Sequence, residues 1–167
     1  MPEDPAINEL AATLVRELNS KKKSVATAES CTGGWIAKAL TDVPGSSGCF
    51  GYGIVSYSNG AKESILGVKN LTLAEHGAVS EPVVREMAEG ALCLSGADVA
   101  VAVSGVAGPD GGSDEKPVGT VWFAWSMRAP GGMKTDTELL RFEGNRESIR
   151  MQTVLHGLKG VRGRLPT

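Results

Sequence analysis

The sequence predicts an α/β fold, a three-layer α/β/α sandwich with a mixed, mostly parallel sheet. Three observations lead there. Strand-like and helix-like runs alternate through the first two thirds of the chain, the order that builds a sheet covered by helices on both faces. Asp98 to Val103 is a continuous Val/Ala run, as expected of a strand buried on both sides. Two more strand-like runs meet at Pro130-Gly131-Gly132 and read as an antiparallel hairpin, with a helix closing the chain. At 167 residues and 17.3 kDa, one domain over residues 1–167 is expected.

Each element has its own reason. Ile7, Leu10, Ala11, Leu14, Val15 and Leu18 form one apolar stripe of a helix over 6–20. Ser24 to Ala28 reads as a short strand, and an Ala-rich helix follows over 33–41 until Pro44-Gly45-Ser46-Ser47-Gly48 stops it. Residues 49–58 read as a strand in spite of Gly51 and Gly53, glycines that in a strand mark a bulge or a close approach. A short helix is expected over 61–66, and His76 ends another short helical stretch. Ser80 is placed as N-cap of a longer helix with Glu81 and Pro82 in its first turn. Strands over 118–127 and 135–142 follow, then a helix from Asn145 with Met151, Val154, Leu155, Leu158 and Val161 on one side.

Composition narrows the function classes. Hydrophobic residues are 41% and charged residues 22%, which excludes a disordered or fibrous chain. Net charge is −2; apart from Lys21-Lys22-Lys23, read as a solvated helix end, no basic stripe exists, and aromatics are only 5%, so no nucleic-acid partner is expected. Cys31, Cys49 and Cys93 are odd in number and form no CxxC pair, arguing for reduced thiols and against a disulfide scaffold or a Cys-based zinc site. The acidic start Met1-Pro2-Glu3-Asp4 lacks an apolar leader, and no apolar run approaches ~18 residues. A cytoplasmic protein with no membrane partner is expected. Glycine is the outlier: 13 of the 22 glycines lie in residues 30–67 and 105–119 without periodicity, which excludes collagen-like and solenoid folds.

Those two regions hold the candidate chemistry. Ser30 stands where a strand ends and a helix begins, beside N–H groups that favour negative charge, and Gly33 and Gly34 give access to the backbone. A serine nucleophile with an oxyanion hole needs this arrangement, and an ordinary N-cap serine has it too. Cys31 is the competing nucleophile. His76 and His156 are the only histidines and both are isolated, so attention turns to lysine as base, which requires a depressed pKa. Lys62 is the candidate, after Tyr57-Ser58-Asn59 and Gly60: Tyr57 would relay a proton and Asn59 would hold a substrate amide. A solvated lysine on a short helix is the plainer reading. Ser104 to Gly112 follows a buried strand, where α/β folds bind ligands; its glycines permit a phosphate-cradling nest, with Lys116 offsetting Asp110, or simply a tight loop. It matches neither a P-loop nor GxGxxG.

Five ordered motifs, Thr27-Ala28-Glu29-Ser30-Cys31-Thr32-Gly33-Gly34, Tyr57-Ser58-Asn59 with Lys62, His76-Gly77-Ala78-Val79-Ser80, Ser104 to Gly112, and Lys116-Pro117-Val118-Gly119-Thr120-Val121, resemble the CinA C-terminal domain family across nearly the whole chain. Their order and spacing are similar to the family's stand-alone form. The resemblance implies deamidation of nicotinamide mononucleotide to nicotinic acid mononucleotide and ammonia, within pyridine nucleotide salvage, with a non-catalytic nucleotide-binding or regulatory module as the alternative. It implies Ser30 as nucleophile with Lys62 and Tyr57 as proton-handling partners. The substrate would be bound by Thr32, Gly33, Gly34, Asn59, Ser104, Gly105, Gly108 and Gly111, and Ser104 stands where the family has Thr. No metal or organic cofactor is expected. A small nucleotide substrate is, and so is a homo-oligomer, a dimer by preference.

Overall fold

The structure is a computed structural model that describes residues 4–165. The acidic start over residues 1–3 therefore lies outside the described residues. In chain order the elements are α1 (Pro5–Lys21), β1 (Val25–Glu29), α2 (Trp35–Thr41), a 3₁₀ turn (Ser46–Gly48), β2 (Phe50–Val55), α3 (Asn59–Leu66), α4 (Asn70–His76), α5 (Glu81–Ser95), β3 (Val99–Gly105), β4 (Thr120–Ala129), β5 (Gly132–Arg141) and α6 (Arg146–Gly163). One sheet runs in the order β2-β1-β3-β4-β5. β1 pairs parallel with β2 and with β3, whereas β3 with β4 and β4 with β5 pair antiparallel. Four of the five strands thus share a direction, and β4 alone runs against them.

The layers follow from which residues alternate along the central strands. On one face Val25, Val99, Val101, Val103, Val121, Phe123 and Trp125 pack with α1, α2 and α6 in the larger core cluster. On the other face Ala26, Ala28, Ala100, Ala102 and Ala124 meet α5 through Val84, Met87, Ala88, Ala91 and Leu92, with Leu66 of α3 and Leu73 of α4 alongside. Successive strand side chains point to opposite faces, so the Val/Ala run reads as one branched and one small face. Burying each Val or Leu contributes roughly 1.5–3 kcal/mol. The small face lets α5 lie close to the sheet.

Local signals set the element ends. Asp4 caps α1 by accepting from the Ala6 and Ile7 amides at 2.8 and 3.3 Å, and Lys22 ends it in a left-handed conformation. Asn145 caps α6 through the Ser148 amide at 2.9 Å. Ser80 precedes α5 as expected, but its hydroxyl donates to the Gly77 carbonyl at 2.7 Å instead of capping the helix. The start of α2 is later than the sequence suggests: residues 30–34 form a turn, and the helix begins at Trp35.

One close approach positions the site. A Cβ at Gly90 of α5 would overlap the carbonyl oxygen of Leu66, the last residue of α3. Both partners are backbone, so neither yields cheaply. We expect Gly90→Ala to destabilise the fold by about 3 kcal/mol, at the upper end for overpacking, lowering Tm by roughly 10 °C in a thermal melt.

Candidate functional site

The site lies beyond the carboxyl ends of β1, β2 and β3, where parallel strands leave a crevice. Ser30 follows β1 directly. Its amide donates to the Val103 carbonyl at 3.1 Å, continuing the β1–β3 ladder, so the nucleophile candidate is placed by the sheet itself. Across it, Ser56 donates its amide to the Glu29 carbonyl at 2.9 Å, extending the β1–β2 pairing by one residue. The Ser56 carbonyl then accepts from Lys62 Nζ at 2.7 Å, and the same Nζ lies 3.0 Å from Ser30 Oγ. Lys62 reaches there from α3, whose N-terminus is capped by Ser58 Oγ accepting from the Ala61 amide at 3.1 Å.

Lys62 is 1% exposed and faces a hydroxyl, a carbonyl and the Cys31 thiol. Burial lowers its pKa, the Cys31 charge opposing this weakly, so the neutral amine is favoured relative to a solvated lysine. A neutral amine that donates one N–H to Ser56 has a lone pair left for the Ser30 proton. The Cys31 thiol, by contrast, is pushed up to about 12, first by burial and further by the nearby Glu29 charge. Its thiolate is therefore scarce at neutral pH.

Ser30 does not cap α2. That task falls to Glu29, a residue the sequence reading passed over. Its fully buried carboxylate accepts from Thr32 Oγ1 at 2.6 Å, from the Ile36 amide at 2.8 Å and from the Ala37 amide at 3.0 Å. Burial raises the Glu29 pKa, and the bonds from Thr32, Ala37 and Ile36 oppose it. Negative charge at a helix N-terminus is favourable, and the cap shapes the turn. Gly33 and Gly34 take left-handed φ values of +60° and +99°, which side chains resist.

The turn's donors are then accounted for one by one. The Gly33 amide donates to the Ser30 carbonyl at 3.0 Å and the Trp35 amide to the Thr32 carbonyl at 3.1 Å. Among the described residues the Thr32 amide has no acceptor. Of the Thr32, Gly33 and Gly34 amides expected to bind an oxyanion, only Gly33's is occupied, by the Ser30 carbonyl. The Thr32 hydroxyl is bound to Glu29 and unavailable to a ligand. From α6, Arg150 donates to the Cys31 and Thr32 carbonyls at 3.0 and 2.9 Å and lies over the Trp35 ring at 5.6 Å, which fixes the turn from its far side.

No hydrogen bond joins Tyr57 to Ser30 or Lys62. It is 61% exposed and its hydroxyl accepts from Arg146 Nη2 at 3.0 Å, while Arg146 Nη1 donates to the Gly108 carbonyl at 2.6 Å. Arg146 thus joins the loop after β2 to the second glycine-rich loop. Gly105 ends β3, and Gly108 and Gly111 follow with left-handed φ. Ser104 is buried and donates to the Ala78 carbonyl at 2.8 Å, pinning the segment before α5 and committing its one hydroxyl proton there. Lys116 likewise donates to the His76 carbonyl at 2.7 Å. Asn59 is the exposed first residue of α3. His156 is 3.1 Å from Glu138 and packs on Phe123, and His76 Nε2 lies 3.7 Å from Glu75, so neither imidazole is hydrogen-bonded to Ser30. No cluster of three or more His, Cys, Asp or Glu suited to a metal exists among the described residues, and no helix among them is long and apolar enough to cross a membrane.

Residues 7–165 match the family model described as CinA C-terminal domain. The nicotinamide-nucleotide amidohydrolase PncC of Escherichia coli (strain K12) is 51% identical over 156 residues, 93% of each chain. The CinA-like protein of Akkermansia muciniphila is 54% identical over 157 residues, which are 94% of this chain and 37% of that longer protein. Among solved structures, the competence/damage inducible protein CihA from Agrobacterium tumefaciens superposes with a TM-score of 0.90 at 43% identity, covering 98% of both chains.

Proposed function

The chain belongs to the CinA C-terminal domain family, and from that premise we propose that it is a nicotinamide-nucleotide amidohydrolase, releasing ammonia from nicotinamide mononucleotide by a Ser30–Lys62 mechanism. The observation that carries the mechanism is the 3.0 Å approach of Lys62 Nζ to Ser30 Oγ in a buried slot. The substrate assignment rests on the relatives of matching length named for that activity. The enzyme works as a single domain over residues 1–167, in the cytoplasm, on a step of pyridine nucleotide salvage.

The amine of Lys62 takes the Ser30 proton as Oγ attacks the carboxamide carbon. The tetrahedral oxyanion is held by the Thr32 N–H, preorganised by Glu29 and Arg150. The ammonium of Lys62 then passes its proton to the departing nitrogen, ammonia leaves, and Ser30 carries the nicotinoyl ester. Water, giving a proton to Lys62, attacks that ester; collapse of the second tetrahedral intermediate releases nicotinic acid mononucleotide, and Ser30 recovers its proton from Lys62. The guanidinium of Arg146, between Tyr57 and the Gly105–Gly111 loop, is the cation placed to meet the nucleotide's phosphate. Tyr57 acts there, as a partner of Arg146, in place of a relay between Ser30 and Lys62.

An ammonia-release assay with nicotinamide mononucleotide, nicotinamide and NAD side by side tests this. Turnover of the mononucleotide, with the other two at least ~100-fold slower in kcat/KM, is expected, because neither supplies the amide and a terminal phosphate monoester together. Binding of the mononucleotide without turnover would instead indicate a regulatory nucleotide-binding module.

A further inference from the structure

Three serines stand in a row where the parallel strands end. β1 pairs Glu29 with Val55 of β2 and with Val103 of β3, so the next residues, Ser56, Ser30 and Ser104, lie side by side across the sheet. Two residues earlier in each strand stand Ile54, Ala28 and Ala102, all packed toward α5. The period of two puts the three serine side chains on that same face, where Leu66 of α3 also packs. Two of the hydroxyls are engaged, Ser30 with Lys62 Nζ and Ser104 with the Ala78 carbonyl. The third, Ser56 Oγ, is fully buried and has no hydrogen-bond partner among the described residues. A buried polar group left unpaired is costly.

Lys62 has the complementary need. An ammonium carries three donors, and around Nζ stand two oxygen acceptors, the Ser56 carbonyl at 2.7 Å and Ser30 Oγ at 3.0 Å. We propose that Ser56 is a positioning residue whose hydroxyl turns to accept the third N–H of Lys62 when the amine takes the Ser30 proton, so that one residue grips the ammonium through both its carbonyl and its side chain. The Cys31 sulfur, a weak acceptor, competes poorly. Cys31 is also the titratable group that acts on the Lys62 charge. Glu86 of α5 is bonded to the Lys69 amide, Glu63 of α3 to Asn70, and the Tyr57 hydroxyl to Arg146. Thr27 Oγ1, also buried and unpartnered, lies on the α2 face beside Gly53 and Ala37 and serves as a control.

The titration of Lys62 tests this. The full chain, grown with carbon-labelled lysine, is followed by NMR against pH, and the Lys62 Cε signal is identified by its absence from Lys62→Met. Ser56→Ala should move the midpoint down by about 1 pH unit, the scale of one lost hydrogen bond to a charge. Tm should not fall, since an unpartnered hydroxyl has no bond to lose. Ser56→Thr restores the hydroxyl and should return the midpoint, while Thr27→Val leaves it in place. In ammonia release, kcat of Ser56→Ala should drop roughly 3- to 10-fold with KM within about twofold, the acidic limb moving down with the midpoint. A midpoint that Ser56→Ala does not move overturns the proposal. So does one displaced equally in Ser56→Thr or in Thr27→Val, the mark of altered packing alone; should Ser56→Thr not fold, Ser56→Ala against Thr27→Val decides. The inference rests on Lys62 as the base for Ser30, yet the titration needs no turnover. A chain that releases no ammonia would sink that reading and leave the midpoint to decide this one.

Discussion

Ser30→Ala is expected to lower ammonia release from nicotinamide mononucleotide by at least ~10³-fold while the protein still folds and binds the nucleotide. The side chain is small and makes one hydrogen bond, to a lysine that retains the Ser56 carbonyl, so the loss falls on chemistry. The companion is Cys31→Ala. A thiol pushed up to about 12 cannot stand in for the hydroxyl, so this variant should keep its rate within about threefold, the scale of a small packing defect near a site. Steady-state rates for both, with binding of the mononucleotide by calorimetry, check the assignment. Activity that survives Ser30→Ala and disappears in Cys31→Ala would reverse it.

Lys62→Arg should be as severe. A guanidinium stays charged and cannot accept the serine proton, so turnover is abolished while the fold persists. In the proposed mechanism the neutral amine is the working form. Activity therefore falls as pH drops through the lowered pKa, and kcat/KM against pH should show one acidic limb that Lys62→Met lacks altogether. Stability carries the same signature. Burial holds the folded pKa of Lys62 below its ordinary value, which is about 10.4 in an unfolded chain. Between those two values the unfolded chain binds more protons, so stability rises with pH across that window and is lost as pH falls toward the folded value. Urea titrations at several pH values should give that slope in the wild type and a flatter one in Lys62→Met.

Much of this was legible in the chain. The Val/Ala alternation of Val99–Val103 announces a strand with two buried faces, and the structure places its branched residues against α1, α2 and α6 and its alanines against α5. Ser30 and Lys62 could be nominated, but their 3.0 Å approach depends on Ser56 extending the β1–β2 ladder, a pairing that no local pattern encodes. Glu29 had a signal: an acid ending a strand with no other polar residue but Thr27 must be buried and bonded. Arg146 and Arg150 also had one, since with Thr153 and Gly157 they fall at i, i+4, i+7 and i+11, a second stripe beside the apolar face of α6. Their partners at Gly108, Cys31 and Thr32 lie 38 to 119 residues away, beyond the reach of periodicity. Proximity in sequence and the family resemblance both pair Tyr57 with Lys62, whereas the turn after β2 sends Ser56 inward and Tyr57 outward.

The contact between Gly90 and Leu66 reaches further than the melting temperature. Lys62 sits one helical turn before Leu66, its head is held by the Ser56 carbonyl, and the far end of its helix bears on α5. α3 is therefore a beam clamped at both ends, and the gap between amine and hydroxyl inherits the spacing between two layers of the fold. A residue that thickens α5 near position 90 tilts the beam and opens that gap without touching the substrate. Substitutions there and at Lys62 or Ser56 should consequently combine non-additively in kcat, so that adjusting this enzyme for another temperature would require α3 and α5 to change together.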